Sequence, residues 1–384
     1  MEKVRLGIIG IGNMGSAHVR TITQGKVQGM EVSAVCDRNP ERKSLFPDIP
    51  FFDTAEDLIA CADVDAVLVA TPHYDHTTLG IATLEAGKHL LVEKPISVHK
   101  ADCEKLIAAH TDKQLVFGAM FNQRTDPRYI KLKSLIEGGH LGEIRRVVWV
   151  ITDWFRTRYY YASGGWRATW KGEGGGVLLN QCPHQLDLWQ WLFGMPDKVR
   201  AFCDIGRYHE IEVEDDVTCY MDYASGCKGV FITTTGEAPG TNRLEITAEN
   251  GKVVVDGSAN GINWTRNEVP MTDWNNSAEG GFSKPDTWQI HIPTGEGHGP
   301  QHQGILQNFT DAILKGKPLI APAAEGIHSV ELANSMLFSS FMDKTVELPI
   351  DAGSYADLLK EKIESSTFVK KDVEEKIAAD FDNA

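Results

Sequence analysis

The sequence predicts a two-domain α/β protein in which a parallel sheet covered on both faces comes first and a large, mostly antiparallel open sheet follows. Three observations carry this. Short apolar runs alternate with helix-compatible stretches over the first 120 residues, a glycine-rich turn sits directly behind the first run, and beyond Pro127 the runs lengthen and become β-branched and aromatic.

The early runs are Val4 to Ile9, Glu31 to Cys36, Ala66 to Ala70, His89 to Val92 and Leu115 to Phe117. They are nearly all apolar instead of alternating, as strands with helices on both sides must be. Gly10-Ile-Gly-Asn-Met-Gly15 follows the first run and opens a helix. Gly10 suits the tight turn, Gly12 lets the backbone approach a pyrophosphate, and Gly15 permits close helix packing, with Asn13 and Met14 between them at the helix start. Free N–H groups at that helix end attract phosphate. Residues 1–124 therefore read as a Rossmann dinucleotide-binding domain. Asp37 ends the second run about 20 residues beyond Gly15, where a carboxylate accepts from the adenosine ribose hydroxyls. It favours NAD, and Arg38 beside it keeps NADP possible.

Ala70-Thr-Pro-His-Tyr-Asp-His76 closes the third run and falls at the carboxyl edge of the sheet, where ligands of such sheets bind. Thr71, Pro72, His73 and His76 are expected to pack beside the cofactor. No metal is expected there, because no cysteine or carboxylate cluster completes a site around the two histidines. Glu93-Lys-Pro95 brings Glu93 and an ammonium, Lys94, to the same edge. An ammonium at that edge can hold a substrate hydroxyl and stabilise the negative charge that develops on its oxygen.

After a helical segment, Tyr129 to Glu137, the strand-like runs are Ile144 to Trp154, Val199 to Gly206, Val217 to Tyr223, Lys228 to Thr235, Arg243 to Ala248 and Lys252 to Val255. Turn residues at Tyr223 to Gly226 and at Glu249-Asn-Gly251 make these hairpins. Residues 258–300, polar and glycine-rich, read as long loops, and Ile305 to Lys315 and Ala323 to Met342 as helices. Residues 125–350 thus form the second, substrate-binding domain. The remaining 351–384 form a helical tail in which Val369, Val373, Ile377 and Phe381 recur every four residues.

Fifty-three acids against 38 basic residues leave a net charge of −15, which repels a phosphate backbone, so nucleic acid is not an expected partner. No apolar run approaches the ~20 residues of a membrane span, and no leader peptide is legible, so no membrane partner is expected. Seven cysteines without a C-x-x-C pair fit buried thiols in a reducing cytoplasm.

The G-I-I-G-I-G-N-M-G start, C-D-R-N-P-E-R, A-T-P-H-Y-D-H-T-T-L, A-G-K-H-L-L-V-E-K-P and G-E-G-G-G-V-L-L-N-Q-C-P-H-Q-L-D-L together resemble the Gfo/Idh/MocA family, over roughly residues 4 to 345. That family includes glucose-fructose oxidoreductase and inositol 2-dehydrogenase. The resemblance implies an open-sheet second domain, an oligomer, and NAD(P)-dependent oxidation or reduction of a sugar, polyol or related carbinol, with Lys94 as the active-site lysine. Where family members commonly carry an Asp four residues before the active-site His, this chain has Asn180. On a helix, Asn180, His184 and Asp187 would share one polar face. His184 is then the group suited to take a proton near neutrality. Asn180 would orient substrate or imidazole, and Asp187 would accept from the other ring nitrogen. A His184–Asp187 pair serving only the core is the alternative.

Tyr159, Tyr160, Tyr161, Trp166, Arg167, Trp170 and Lys171 crowd the segment before the glycine run. Flat rings stack on sugar faces and cations reach hydroxyls or a carboxylate, so Tyr160, Trp166 and Arg167, with Arg124, are expected to touch substrate. His298 and His302 read as surface residues. The function expected is a dehydrogenase acting on a ring hydroxyl of a sugar, glycoside or inositol. Two alternatives share the fold: an NAD-dependent glycosidase that oxidises the sugar transiently, and a non-catalytic sugar-responsive regulator. A homo-oligomer, dimer or tetramer, is expected because Val147 to Val150 and Val230 to Ile232 carry apolar side chains on both sheet faces.

Overall fold

The computed structural model describes residues 2–257, 261–295 and 297–370. The first domain runs through β1 (Val4–Ile9), α1 (Asn13–Thr23), β2 (Met30–Cys36), β3 (Phe51–Phe52), α2 (Ala55–Ala60), β4 (Ala66–Val69), α3 (His73–Glu85), β5 (His89–Val92), α4 (Lys100–Ala109) and β6 (Phe117–Ala119). All pair in parallel, in the order β3-β2-β1-β4-β5-β6. The chain therefore winds outward from β1 in one direction and then from β4 in the other, opening a crevice between the carboxyl ends of those two strands. Every residue of β4 is fully buried, as its unbroken apolar run requires. Strand β3 went unanticipated because two phenylalanines carry no period.

The second domain begins with α5 (Pro127–Glu137), where the Asp126 carboxylate accepts from the Arg128 N–H at 2.9 Å. Then follow β7 (Ile144–Ile151), α6 (Arg158–Ala162), α7 (Pro183–Phe193), β8 (Lys198–Ile205), β9 (Glu214–Asp222), β10 (Lys228–Thr234), β11 (Asn242–Ala248) and β12 (Gly251–Asp256). Next come β13 (Ile262–Asn267), α8 (Met271–Ser277), β14 (Thr287–Ile292), α9 (Gln301–Lys315), α10 (Gly326–Phe341), β15 (Val346–Glu347) and α11 (Ala352–Ser365). The sheet order is β14-β13-β12-β11-β7-β10-β9-β8-β15, antiparallel except for the central β7–β10 pair. Helices α7 and α10 cover one face, with Trp189 and Phe231 in edge contact at 5.9 Å. On the other face Phe202 and Tyr220 are half exposed.

Two expectations need correcting. Residues 258–300 are not simply loops: they include β13, α8 and β14. Ile262 and Trp264 are buried, and edge strand β14 alternates Trp288, Ile290 and Ile292 with polar residues, the two isoleucines packing partly buried against the core. Helix α9, expected within the second domain, sends Ile305, Leu306 and Phe309 into the core of the first, beside Leu6 and Phe117. The tail does begin with a helix, α11. Val369 lies past its end, and Val373, Ile377 and Phe381 fall outside the described residues.

Arg124, expected to touch substrate, instead sits at the junction between the domains with its side chain 1 % exposed. Its Nε and Nη2 donate to the two oxygens of Asp187 at 2.7 and 2.6 Å, and Nη1 donates to the Ile320 carbonyl and to Glu325. Asp187 is as deeply buried, so neither charge has water to fall back on. Arg124→Ala leaves that carboxylate unpaired and is expected to cost about 3–5 kcal/mol, read as a lower urea midpoint. Removing both charges together, R124M with D187L, should recover most of the loss. A wild-type midpoint for R124A would mean that the pair does not hold the junction.

Candidate active site

A cavity of about 1820 Å³ runs from the glycine turn of the first domain to the turn before α7 in the second. Its cofactor end follows from backbone geometry. Gly10 has φ +89°, and a side chain on Gly15 would strike the Gly10 carbonyl at 1.8 Å, so the turn closes only with glycine at both positions. At Gly12 an added Cβ would meet only Arg42 Nη1, at 3.5 Å, which leaves the turn open toward the cavity above the N-terminus of α1. Asn13 and Met14 line that end. Asp37 stands across from them. Its carboxylate accepts from the N–H groups of Ile11 and Asn39, both at 2.9 Å, and from Arg42 Nη1 at 2.8 Å. The Thr71 hydroxyl is buried without a partner. An open glycine cradle at a helix start, an anchored carboxylate and an orphaned hydroxyl fit a dinucleotide.

Arg38 was expected to be the cation beside Asp37. It borders the cavity, but its exposed guanidinium reaches Asp75 at 3.2 Å. Arg42 takes the expected place, carried back by a short 3-10 helix over Pro40–Leu45 whose start is capped by Asn39. Asparagine followed by proline marks such a helix start, so the signal was present.

Beside Thr71 and Pro72, the two histidines tie the cavity wall together. His76 faces the carbonyls of Pro95 and Thr71 at 2.7 and 2.8 Å. His73 faces the Glu173 carbonyl at 3.1 Å and meets Trp166 edge-on at 5.0 Å. Burial pushes both imidazoles below the usual histidine range, so they stay neutral at neutral pH.

Glu93 faces His18 of α1 at 2.7 Å and accepts from the Lys94 N–H at 3.2 Å. Burial alone would raise its carboxyl, but the contact with His18 brings it down to about 2. Lys94 Nζ donates to the Asn180 carbonyl at 2.7 Å, joining the edge of the first sheet to the second domain and keeping two of its three donors. Burial holds its ammonium below the usual lysine range, with Glu93 opposing and Arg156 adding to the depression.

His184 lies one helical position inside α7, 8 % exposed, its ring edge-on to Phe121 at 6.4 Å. Nδ1 is buried without a partner. The expected Asp187 contact does not form. Asp187 is one turn further along α7 and is taken up by Arg124, so it does not orient the imidazole. Burial, then Lys94, drives His184 well below the usual histidine range. The ring is therefore a neutral base at neutral pH.

Asn180 is not helical; it sits in the turn before α7. Its amide donates to the Tyr160 hydroxyl at 3.1 Å and to Glu173. Burial raises the Glu173 carboxyl to about 7. An aspartate at 180 would therefore face a second buried carboxylate, which explains why an amide fits here. Trp166 and Arg167 line the same end, with the Arg167 guanidinium 4.9 Å from the Tyr160 ring and 4.8 Å from the Trp166 ring.

Trp154, Arg156 and His302 also line the cavity and were not anticipated there. His302, read as a surface residue, meets His18 at 5.6 Å. Among the described residues no group of three or more His, Cys, Asp or Glu gathers at metal-ligating distance, and no helix is long and apolar enough to cross a membrane.

Inositol 2-dehydrogenase 1 of Saccharopolyspora erythraea is 38% identical over 146 residues, covering 36% of this chain and 43% of that enzyme, less than half its length. The scyllo-inositol 2-dehydrogenase (NADP(+)) of Bacillus subtilis is 23% identical over 91% of this chain and 97% of its own. Among solved structures, the WlbA dehydrogenase from Chromobacterium violaceum in complex with NADH and UDP-GlcNAcA is similar with a TM-score of 0.78 at 26% identity, over 91% of this chain and 97% of that one. Residues 4–121 match the oxidoreductase family with an NAD-binding Rossmann fold, and residues 129–254 match the GFO/IDH/MocA C-terminal domain. With both domains matched in order, the chain belongs to the Gfo/Idh/MocA family of oxidoreductases.

Proposed function

We propose that the chain is an NAD(P)-dependent dehydrogenase of a ring carbinol in a sugar, glycoside or inositol. One observation carries this reading: Lys94 and His184, from different domains, border one cavity that starts at the glycine turn. When bound, NAD(P) supplies the hydride acceptor, or the donor in the reverse direction. Lys94 Nζ, with donors free of Asn180, holds the substrate oxygen and stabilises charge developing on it. His184, sealed at Nδ1, takes the hydroxyl proton at its other nitrogen. Tyr160, Trp166 and Arg167 form the wall against which the ring packs. Asp37 favours NAD over NADP by repelling a 2′-phosphate, and Arg42 tempers that preference.

His184→Ala should lower kcat about 10²- to 10⁴-fold. The pH profile carries a sign as well. Because burial and Lys94 disfavour the imidazolium, the base stays neutral as pH falls through the ordinary histidine value. The acid limb of kcat/KM should therefore lie below pH ~6.5 in the wild type and vanish in H184A. An unchanged limb in H184A would move the base elsewhere.

The reaction class is tested by following absorbance as NADH forms on a panel of inositols, aldoses and glycosides, with NAD and NADP in parallel. Accumulating NADH supports the dehydrogenase. Cleavage of a glycoside without it would mean the transient-oxidation glycosidase, and binding without turnover a regulator. Asp37→Ala should shift the ratio of efficiencies toward NADP.

We further propose a homo-oligomer, dimer or tetramer, built on the uncovered sheet face where Phe202 and Tyr220 stand exposed beside Val230 and Ile232. Light scattering at micromolar concentration should report a multiple of 42.4 kDa; a monomeric mass would refute it. Seven unpaired cysteines fit a reducing compartment such as the cytoplasm.

A further inference from the structure

One wall of the substrate end of the cavity carries a guanidinium that forms no ion pair among the described residues. Arg156 borders the cavity with its guanidinium carbon 5.5 Å from the Trp154 ring and 5.1 Å from the Tyr160 ring. A guanidinium carries five N–H donors and no acceptor. Here Nη1 donates to the Phe155 carbonyl at 3.0 Å, while Nε is buried with no partner. Trp154 Nε1 is buried without an acceptor on the same wall. Among the described residues no carboxylate lies within ion-pairing distance of Arg156. Asp153 also borders the cavity and feels the Arg156 charge, but burial raises its carboxyl and it forms no ion pair with that guanidinium.

Three other arginines near this cavity contrast with it. Arg42 is spent on Asp37, Arg124 on Asp187 and Glu325, and Arg128 on Asp126. Arg156 keeps its fork open a short way from Lys94, and the mutual repulsion of the two cations is felt in the depressed ammonium of Lys94. In a chain of net charge −15, an unpaired guanidinium facing a ligand cavity calls for an anion from the ligand.

We infer that the sugar taken by this cavity carries an oxyanion, a carboxylate or a phosphate, away from the carbon that reacts, and that Arg156 receives it through its planar fork. The inference rests on the dehydrogenase reading above, which names the ring but not its charge. Arg156 acts here as a specificity residue. It selects among sugars through binding, so its effect falls mainly on KM.

The test uses the full chain with NAD and three probes that share a ring: glucose, glucuronate and glucose 6-phosphate. One of the anions should exceed glucose in kcat/KM by about ten- to a hundredfold, and which one does so identifies the oxyanion. Arg156→Ala should collapse that ratio toward one, and R156K, which keeps charge without the fork, should recover only part of it. Calorimetric binding of the same probes to the NAD-loaded protein reads the preference even if none is turned over, which separates failure of this inference from failure of the dehydrogenase reading. Glucose used or bound as well as both anions would overturn the inference. So would R156A lowering all three probes by the same factor.

Discussion

Arg124 gives up its water with its full charge intact, and the geometry of the cavity follows from where it finds compensation. Both Asp187 oxygens take it from α7, and Glu325 with the Ile320 carbonyl take it from the return segment before α10. A buried ion pair of this kind is a poor source of net stability, but it is intolerant of displacement, because any slippage strands a charge in a low-dielectric interior. His184 rides on the same helix, one turn before Asp187. The imidazole is thus held in register with the first domain by a pair that does not touch it.

Around that fixed helix, burial sets the protonation of the whole site. His184, His73 and His76 are all driven toward neutrality by loss of water, while Glu93 keeps its charge through His18 and burial lifts the Glu173 carboxyl to about 7 against the donors of Ala168 and Asn180. The result is a cavity wall in which Lys94 and Arg156 stand as cations among neutral imidazoles. Neutral imidazole beside a buried ammonium is the combination that accepts a proton and steadies the oxygen that releases it.

What was legible in the sequence was local chemistry. Gly10, Gly12, Asp37 and Lys94 all reach the cavity, as their residue types and their positions at the ends of apolar runs led one to expect. Strands β7 to β12 of the second sheet were legible to within a few residues from their β-branched and aromatic runs. Asp187 was misread because proximity on a helical wheel says nothing about a partner arriving 63 residues earlier in the chain, and Arg124 made that partner. Arg156 and Trp154 went unseen because their place on the cavity wall is set by the end of β7, not by a motif. Strand β14 alternates Trp288, Ile290 and Ile292 with polar residues, a signature overlooked because the stretch around it is polar and glycine-rich.

The return of α9 to the first sheet has a consequence for how the chain is made. Ile305, Leu306 and Phe309 complete a core begun at Val4, and the Ala119 N–H donates to the Ala321 carbonyl at 3.0 Å. A chain emerging from the ribosome can form all six strands of the nucleotide-binding sheet and still lack its last layer for some two hundred residues of synthesis. During that interval the apolar surface meant for α9 is open to solvent. The first domain to be translated is thus among the last to be finished, and cleaving the chain at the visible domain boundary yields a fragment without its own floor.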